Sequence, residues 1–434
     1  MLTNDEAGRR NGRGVSVDTL SPLMWTPKPA IELSSQRAVR RHNLSIVLRQ
    51  VVERGPRSRA TVAQDTGLNK STVSSLVSEL MEFGLLVERG AEHRGTAGRP
   101  GLVVDVARDG VVALGLEVNV DYVGVQATDL AGGSRYKGME AADNRGRAIE
   151  DVLDRLGELA RGALDAVVAQ GLRPIGATVA LPGLVDIERG ALLIAPNLHW
   201  QDVPVVDLLR ERIGEPSLPL GVDNEANLAA LAELWEGAAA GITDFVYASG
   251  EIGVGGGIVL GGELYRGYRG FGGEFGHTTV EHDGLPCACG SRGCLETRAG
   301  LEPLLAAAGL NGDAVHSRGA GKPVAELVRR AQENEPTALA ALTDCGRWLG
   351  VALGTVVNLL SPQAIVLGGH FAPMTEWLEP VIKSELATRV LGGNGAVPPV
   401  LSSSLGAEAA MRGAAATQLR RVLADPTLVG APIP

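Results

Sequence analysis

Cysteine is scarce in this 434-residue sequence, which contains only four. The first residues, MLTNDEAGRRNGRG, lack the apolar core of a signal peptide. No apolar run approaches the roughly 20 residues that a helix needs to span a bilayer. These absences argue against a disulfide-stabilised secreted protein and against a membrane protein, so we expect a cytoplasmic protein with reduced cysteines.

Charge is unevenly distributed along the chain. The formal net charge is −10, but the first 100 residues carry a net charge of +5 and the remainder −15. The length allows two to four domains, and a hydrophobic content of 45% is ordinary for a globular protein. A basic N-terminal region (the head) followed by an acidic remainder (the body) indicates that only the head binds a polyanion.

Three of the four cysteines fall within one short stretch that also follows a histidine. The cluster consists of His277, Cys287, Cys289 and Cys294. Thiolate sulfur and imidazole nitrogen are the ligands of tetrahedral zinc, and a Cys3His set without an open position is typical of a structural site. Gly290 and Gly293 allow the backbone to fold back tightly around one ion. Three unligated cysteines are the alternative, and Cys345 is expected in the core instead.

The same stretch reads EFGH and then CACGSRGCLE, and it resembles the ROK family of repressors, open reading frames and sugar kinases. The resemblance implies one structural zinc per chain on the four clustered residues. It also implies that sugar hydroxyls are bound by Glu274, His277 and Glu296.

The region from about residue 37 to residue 100 has the pattern of a helix-turn-helix. A helix runs from near Arg37 to Gly55, a second is expected from Arg59 to Asp65 after a Ser58 cap, and Gly67 permits the turn. The third helix begins at Asn69 or Ser71. Its exposed start is small and polar, which suits insertion into a major groove rather than a generic helical hairpin. The candidate base and phosphate contacts are Asn69, Lys70, Ser71, Thr72, Ser74 and Ser75.

A Gly-rich loop follows a predicted strand from Leu85 to Glu88. The loop carries Arg94 and Arg99. If the loop is a wing, these arginines would contact DNA, and if it is a plain linker between domains, they would be solvated. This winged arrangement followed by Gly-Arg-Pro resembles the N-terminal domain of ROK repressors and is absent from the free-standing kinases of the family.

From Gly101 the sequence predicts an α/β body. Three β-rich runs, beginning with GLVVDVA, precede a long helix from about Arg147 to Gln170 and a strand ending at Pro182-Gly183. Ligands in such sheets gather outside the carboxyl ends of strands, where Asn197, Asn224 and Glu225 are expected. We predict a tail 1–36, a winged helix-turn-helix 37–100, a first lobe 101–221 completed by a helix 405–423, a second lobe 222–404 with the zinc loop, and a tail 424–434.

Asn224-Glu225 corresponds to the Asn-Asp pair of ROK kinases, in which Asn holds a sugar hydroxyl and Asp is the base. Several repressors of the family, notably those resembling xylose repressors, also carry Asn-Glu. Glu is one methylene longer than Asp, so a carboxylate suited to binding would be misplaced for in-line attack. The alternative is an ordinary helix cap with an acidic first turn.

The first strand departs from the kinase pattern of the family. ROK kinases carry an Asp-x-Gly-Gly-Thr turn that holds nucleotide phosphate, whereas this chain reads GLEVNVD from Gly115 to Asp121. Valine at the glycine positions blocks close backbone approach to phosphate. The resemblance therefore implies a sensor that kept the sugar site and lost phosphoryl transfer.

These features together predict an α/β protein with an N-terminal winged helix-turn-helix and a two-lobed, actin-like (ribonuclease H-like) sugar-kinase fold. We expect a non-enzymatic transcriptional regulator that binds double-stranded operator DNA and a monosaccharide or sugar phosphate, as a homodimer or homotetramer. The alternatives are a bifunctional kinase with a DNA-binding head and a DNA-binding protein that senses no ligand.

Overall fold

A computed structural model describes residues 36–90, 102–310 and 321–430. Residues 1–35 of the predicted tail 1–36 and the wing residues Arg94 and Arg99 lie outside this part of the chain. A short N-terminal unit ends at Arg40, and residues 41–434 form a second unit, to which the following paragraphs refer. Within the described ranges, every helix is too short or too polar to cross a membrane.

The N-terminal head combines helices with a small antiparallel sheet. Its helices are α1 Gln36–Arg54, α2 Arg59–Thr66 and α3 Lys70–Glu82. Its strands are β1 Arg57–Ser58, β2 Leu86–Arg89 and β3 Val103–Val106, in the sheet order β1-β3-β2. This order of elements is that of a winged helix-turn-helix, and the loop joining β2 to β3 spans residues that the structure does not describe.

Local hydrogen bonding explains where the head helices begin. The Ser58 hydroxyl accepts a 3.1 Å hydrogen bond from the Thr61 amide and so caps α2. Gly67 has a φ of 71°, which only glycine adopts without strain, and it ends that helix. The Asn69 side chain accepts from the Thr72 amide at 2.7 Å, so Asn69 rather than Ser71 caps α3. The three predicted helices and the turn at Gly67 are present in the structure.

The predicted boundary between head and first lobe is wrong by several residues. The run GLVVDVA was expected to open the first lobe, but its strand β3 pairs antiparallel with β1 and β2 of the head. Val104 and Val106 are buried in the head core together with Leu85 and Leu86. A β-rich run does not specify its partners, which here precede it in the chain.

The first lobe is built on a mixed five-stranded sheet in the order β11-β7-β4-β5-β6. Its strands are β4 Val111–Val118, β5 Tyr122–Asp129, β6 Ser134–Ala141, β7 Arg173–Leu181 and β11 Leu220–Asn224. A smaller sheet contains β8 Leu184–Asp186, β9 Ala191–Ala195 and β10 Trp200–Val203. The helices are α4 Ile149–Ala169, close to its predicted range, and α5 Val205–Ile213. Strand β11 runs past the expected boundary at residue 221.

The second lobe contains another five-stranded sheet, in the order β14-β13-β12-β15-β16. Its strands are β12 Phe245–Gly250, β13 Val254–Leu260, β14 Glu263–Leu264, β15 Ala364–Gly369 and β16 Val400–Ser402. The helices of this part are α6 Glu225–Glu236, α7 Glu296–Ala299, α8 Leu301–Ala307, α9 Gly321–Gln332, α10 Pro336–Leu360 and α11 Thr375–Arg389. Short 3-10 helices occupy Phe275–His277, Ala372–Met374, Gly393–Ala396, Gly406–Glu408 and Pro426–Val429.

The last helix, α12 Ala409–Ala424, returns to the first lobe as predicted, although it starts four residues later than Leu405. It packs so closely on β4 that a Cβ atom added at Gly115 would lie 1.8 Å from the Met411 carbonyl oxygen. The residues after α12 are not simply a tail, because Pro426–Val429 form a 3-10 helix and Val429 is buried in the head core.

Candidate functional site

A cavity that is open to solvent lies at the carboxyl ends of β7 and β11, where the sheet arrangement predicts a ligand. All six residues predicted to bind sugar line it. They are Asn197, Asn224, Glu225, Glu274, His277 and Glu296. The sequence interval between the first and last of them is 99 residues, so the fold rather than local sequence brings them together.

Asn224 and Glu225 line the cavity, and Asn224 is also the helix cap that the sequence offered as the alternative. Asn224 caps α6, because its side-chain oxygen accepts from the Asn227 amide at 3.0 Å. Its side-chain nitrogen donates to the Gly183 carbonyl and to Glu225 Oε2, each at 3.0 Å. Most of the hydrogen-bonding capacity of Asn224 is therefore used internally, and Asn224 positions Glu225 in the cavity.

The backbone of Gly253 lets side chains from both lobes approach each other. A Cβ atom at that position would lie 2.4 Å from Glu296 Oε2 and 3.5 Å from Asn197 Nδ2. An acceptor and a donor therefore meet at one wall of the cavity, which is the arrangement that a polyol hydroxyl group requires. Any side chain at Gly253 would displace Glu296.

Among the described residues, the cavity is lined by acidic groups and by no lysine or arginine. Burial raises the pKa of the Glu225 carboxyl well above its ordinary value, and nearby Glu274 and Glu251 raise it further. Burial also raises the pKa values of Glu251 and Glu274. Protonated carboxyls at these positions can donate to hydroxyl oxygens as well as accept from hydroxyl groups.

The sequence did not reveal a polar network that lies beside the cavity and joins the lobes. Asn119 Nδ2, on the first lobe, lies 3.4 Å from Glu117 Oε1 and 3.4 Å from Glu251 Oε2 of the second lobe. The Tyr122 hydroxyl donates to Glu117 Oε1 at 2.7 Å. Burial raises the pKa of Glu117 to about 8, and the charge of Glu251 adds to that rise. A motif search misses this network because Glu117 and Glu251 are 134 positions apart.

The turn after β4 satisfies its own backbone amides. The Val120 amide donates to Asn119 Oδ1 at 2.6 Å, and the Asn119 amide donates to the Tyr122 carbonyl at 2.9 Å. Asn144 Nδ2 donates to the carbonyl oxygens of Asn119 and Tyr122. Phosphate-binding turns present unpaired amides to the ligand, and these two amides are already paired.

The predicted metal residues form a compact cluster. One ligand atom from each of His277, Cys287, Cys289 and Cys294 lies within 4.8 Å of the others. Cys287 Sγ is 3.7 Å from His277 Nδ1, and Cys289 Sγ is 3.8 Å from Cys294 Sγ. Ligands held about 2.3 Å from a tetrahedral ion are separated by ~3.8 Å. The donor set and its spacing therefore fit one metal ion, and buried Cys345 lies outside the cluster.

The metal cluster and the cavity share residues. His277 belongs to the cluster and lines the cavity. Glu296 Oε1 lies 2.8 Å from Cys287 Sγ, while Glu296 Oε2 reaches the cavity wall at Gly253. A structural ion at the cluster would therefore fix the positions of two cavity side chains.

Of the six residues at the start of α3 that were predicted to contact DNA, four are exposed, and Thr72 and Ser74 are half-buried. Asn69, Lys70, Ser71 and Ser75 are exposed. Ser74 is half-buried, and its hydroxyl and carbonyl oxygens accept from Arg59 Nη1 at 2.8 and 3.0 Å. Arg59 also contacts Glu88 of β2 at 2.8 Å. Ser74 therefore holds α2, α3 and β2 together, and its hydroxyl is less available to DNA than that of Ser71.

Comparisons with known proteins agree with this architecture. A profile of the ROK family matches residues 127–421. The chain is 30% identical to the xylose repressor of Bacillus subtilis strain 168, over 87% of this chain and 95% of that protein. It is also 30% identical to a putative xylose repressor of Caldicellulosiruptor sp. strain Rt8B.4, over 77% of this chain and 85% of that protein.

Solved structures give the same result. A ROK family transcriptional regulator, a homologue of the Escherichia coli MLC protein, superposes with a TM-score of 0.71 at 26% identity, over 90% of this chain and 98% of that one. A ROK family glucokinase from Streptomyces griseus, in complex with glucose and AMPPNP, superposes with a TM-score of 0.61 at 27% identity. The superposition covers only 70% of this chain but 98% of the glucokinase chain. The chain belongs to the ROK family.

Proposed function

We propose that this protein is a sugar-responsive transcriptional regulator, a repressor of genes for carbohydrate uptake or catabolism that acts on operator DNA in the cytoplasm. The observation that carries the proposal is the convergence of six polar side chains on one cavity in a chain that also has a helix-turn-helix head. The similarity to xylose repressors over most of both chains supports it.

The effector that the cavity favours is an uncharged monosaccharide. Four carboxyl groups line the cavity, from Glu225, Glu251, Glu274 and Glu296, and no lysine or arginine of the described part of the chain lines it. A phosphate group would find no guanidinium or ammonium partner among the described residues that line the cavity, and an uncompensated charge is unfavourable in a half-buried site. A neutral polyol instead pairs with buried acceptors, each of which costs roughly 1–3 kcal/mol when left unpaired. We therefore prefer a free sugar to a sugar phosphate.

The metal that fits the Cys3His cluster is zinc, in a structural role, at one ion per chain. His277, Cys287, Cys289 and Cys294 would hold it. Zinc would supply no reaction chemistry there. It would stabilise the loop that carries His277 and lies next to Glu296, and would so keep the cavity preorganised for sugar.

DNA binding is assigned to the exposed start of α3 and to the wing. Lys70 offers a charge for a phosphate, and Ser71 and Ser75 offer hydroxyl groups for base edges or phosphates. Arg94 and Arg99 would add minor-groove or phosphate contacts. A homodimer or homotetramer would place two heads on two half-sites and gain affinity and register.

Sugar and DNA binding would be coupled through the lobes. A ligand can shift an equilibrium only by its differential affinity for two states, typically 1–3 kcal/mol or about 5–150-fold. Glu225 of the cavity is the first residue of α6, and α6 packs against α12, which shares a core with the head. Closure of the cavity around sugar would move α6 and thereby the head, and we expect operator affinity to fall.

The test is operator affinity with and without the best sugar found in a thermal-shift screen of monosaccharides, amino sugars and their phosphates. Glu274→Ala should abolish the sugar response and leave the affinity of the sugar-free protein nearly unchanged. Glu188→Ala, at an exposed turn of the first lobe, is the matched control and should respond like the wild type. A Glu274→Ala variant that responds at the wild-type sugar concentration would show that the sugar binds elsewhere.

The second candidate function, a sugar kinase with a DNA-binding head, is supported by the similarity to glucokinases. The internally paired amides of Asn119 and Val120 and the carboxyl groups of Glu117 and Glu251 argue against a nucleotide site. A triphosphate at that position would lack both amide donors and would face acidic groups.

A further inference from the structure

An ion pair that includes none of the six predicted sugar-binding residues joins the two lobes. Arg145 belongs to the first lobe, in the segment between β6 and α4, and Glu302 lies in α8 of the second lobe. Arg145 Nη1 donates to Glu302 Oε1 at 2.8 Å. The two side chains are 24% and 41% exposed, so solvent reaches the pair but does not surround it.

The direction of the Arg145 side chain is set within the first lobe. Asp143 Oδ1 accepts from Arg145 Nε at 3.0 Å and from the Arg145 backbone amide at 3.2 Å. A guanidinium group is planar and presents its donors in fixed directions, so a contact on one edge orients the other edge. Asp143 therefore orients Nη1 of the same group toward Glu302.

The residues that precede the two partners of this ion pair are hydrogen-bonded to segments that line the cavity. Asn144, which precedes the arginine, is buried, and its Nδ2 atom donates to the Asn119 carbonyl oxygen at 2.7 Å. Leu301, which precedes the glutamate, donates from its amide to the Ile252 carbonyl oxygen at 3.2 Å. Asn119 and Ile252 both line the cavity. Each lobe thus connects its half of the ion pair to the cavity wall.

Two further contacts join the lobes at the same place. Ile252 packs against the cores of both lobes. Asn119 Nδ2 of the first lobe lies 3.4 Å from Glu251 Oε2 of the second. At this spacing of the lobes, Asn197 from the first and Glu296 from the second line one cavity. The contacts between the lobes therefore hold the spacing at which polar groups from both can reach one ligand.

We propose that the Arg145–Glu302 ion pair is a clasp that holds the lobes at the spacing at which the cavity binds sugar. Arg145 and Glu302 are not among the residues that line the cavity, so they are positioning residues that act through the segments of Asn119 and Ile252. The effect of the clasp on sugar affinity rests on the proposed function. Its effect on the spacing of the lobes does not, and that effect is measured separately.

The first experiment is amide hydrogen exchange, read by mass spectrometry, on the full chain without sugar or DNA. The amides of Asn119 and Glu251 are hydrogen-bonded within their turns, so their exchange reports local opening. Arg145→Glu places two carboxylates opposite each other and should speed exchange of residues 119–122 and 250–253 by about 2–5-fold. Glu302→Arg, which opposes two cations, should have the same effect.

The double variant Arg145→Glu with Glu302→Arg separates a charge pair from a merely structural role. It restores the pair with its charges exchanged, so exchange should return to within about 2-fold of the wild type. Arg147→Glu is the matched control, because Arg147 is exposed in the same segment and its Nε donates to the Asp143 carbonyl oxygen within the first lobe. This control makes the same change in net charge and should leave exchange unchanged.

The second experiment is calorimetric titration of the same variants with D-xylose and, separately, with D-glucose. For a sugar that binds the wild type, Arg145→Glu should raise the Kd by about 2–5-fold, and the double variant should restore it. In about 1 M salt, where the screening length is about 3 Å, the difference between wild type and Arg145→Glu should shrink.

Three results of the exchange experiment would overturn the proposal. Equal exchange in the wild type and in Arg145→Glu would show that the pair does not hold the lobes. Faster exchange in both single variants without recovery in the double variant would assign a merely structural role. An equal effect of Arg147→Glu would assign the change to net charge. If exchange follows the expected pattern but the wild type binds neither sugar, the proposed function is contradicted and the clasp loses its role in sugar binding.

Discussion

The Ser45 hydroxyl group donates a 2.6 Å hydrogen bond to the carbonyl oxygen of Leu423, 378 positions further along the chain. Ser45 lies on α1 of the N-terminal head, and Leu423 lies near the end of α12. Around this bond, Leu44 and Leu48 share a buried core with Leu419. The head is therefore packed directly on the last helix of the body, in addition to being joined to it through the chain that follows β3.

The contact between α12 and α6 gives a first prediction. A Cβ atom at Gly413 would lie 1.9 Å from the Leu228 carbonyl oxygen, so Gly413→Ala must push the two helices apart. Overpacking of this kind costs about 1–3 kcal/mol. We expect a lower melting temperature and a weaker sugar effect on operator affinity. Gly395→Ala, where an added Cβ meets nothing within 4 Å, is the control and should change neither measurement.

Glu117 gives a prediction about pH. Burial raises its pKa from 4.5 to about 8 in the folded protein. Between these values the folded state binds more protons than the unfolded state, so the contribution of Glu117 to stability is full below pH 4.5 and is lost as pH rises to 8. Glu117→Gln removes that dependence and should stabilise the protein above pH 8, on the order of a few kcal/mol.

The measurement is the difference between the melting temperatures of wild type and Glu117→Gln from pH 5 to pH 9. The difference is used because Glu225 and Glu251 also have raised pKa values and contribute to both curves. Melting curves that stay parallel over this range would contradict the assignment. Glu188→Gln, at an exposed turn, should give a curve parallel to that of the wild type.

What the sequence could predict depended on how local the interactions are. The Asn69 cap and the Cys287–Cys294 cluster involve residues a few positions apart. Such features can be predicted from the types of neighbouring residues and their spacing in the sequence. The pairing of β3 with the head, the bidentate Arg266–Asp223 contact and the Glu117–Asn119–Glu251 network depend on tertiary register. Hydrophobic pattern does not encode that register, so these features required the structure.

The metal cluster gives a third prediction. Elemental analysis of chelator-washed wild-type protein should find about one zinc per chain, because a closed Cys3His site holds its ion tightly. Cys294→Ala should lose the metal and melt at a lower temperature, since Cys294 is fully buried beside the loop that the ion would hold. Cys345→Ala should keep the metal, because Cys345 lies outside the cluster. Folded wild type with less than about a tenth of an equivalent would refute the site.

The fourth prediction concerns the head, and it uses the salt dependence of operator binding to distinguish phosphate contacts from base contacts. Lys70→Ala, Arg94→Ala and Arg99→Ala should each weaken operator binding and lower the salt-dependence slope by nearly one unit, because each removes a phosphate contact. Ser71→Ala should change sequence preference more than slope. We first expected the same of Ser74, but its bonds to Arg59 mean that Ser74→Ala should mainly lower stability. Unchanged operator affinity in all of these variants would show that α3 does not read DNA.

The turn after β4 gives the last prediction, which concerns catalysis. A kinase must hold the β- and γ-phosphates of ATP with donors that are available before the nucleotide arrives. Here the Val120 amide is paired with Asn119 Oδ1, and Glu117 and Glu251 lie on either side of Asn119. Breaking the Val120 bond would cost free energy, and the two buried carboxyl groups offer no positive charge to a triphosphate. Incubation of the protein with ATP and its best sugar should therefore yield no sugar phosphate above a blank without protein.

A glucokinase of the family, assayed in parallel, is the positive control. Turnover near 1 s⁻¹, which is the low end for ordinary kinases, would show that the nucleotide binds by a route other than this turn.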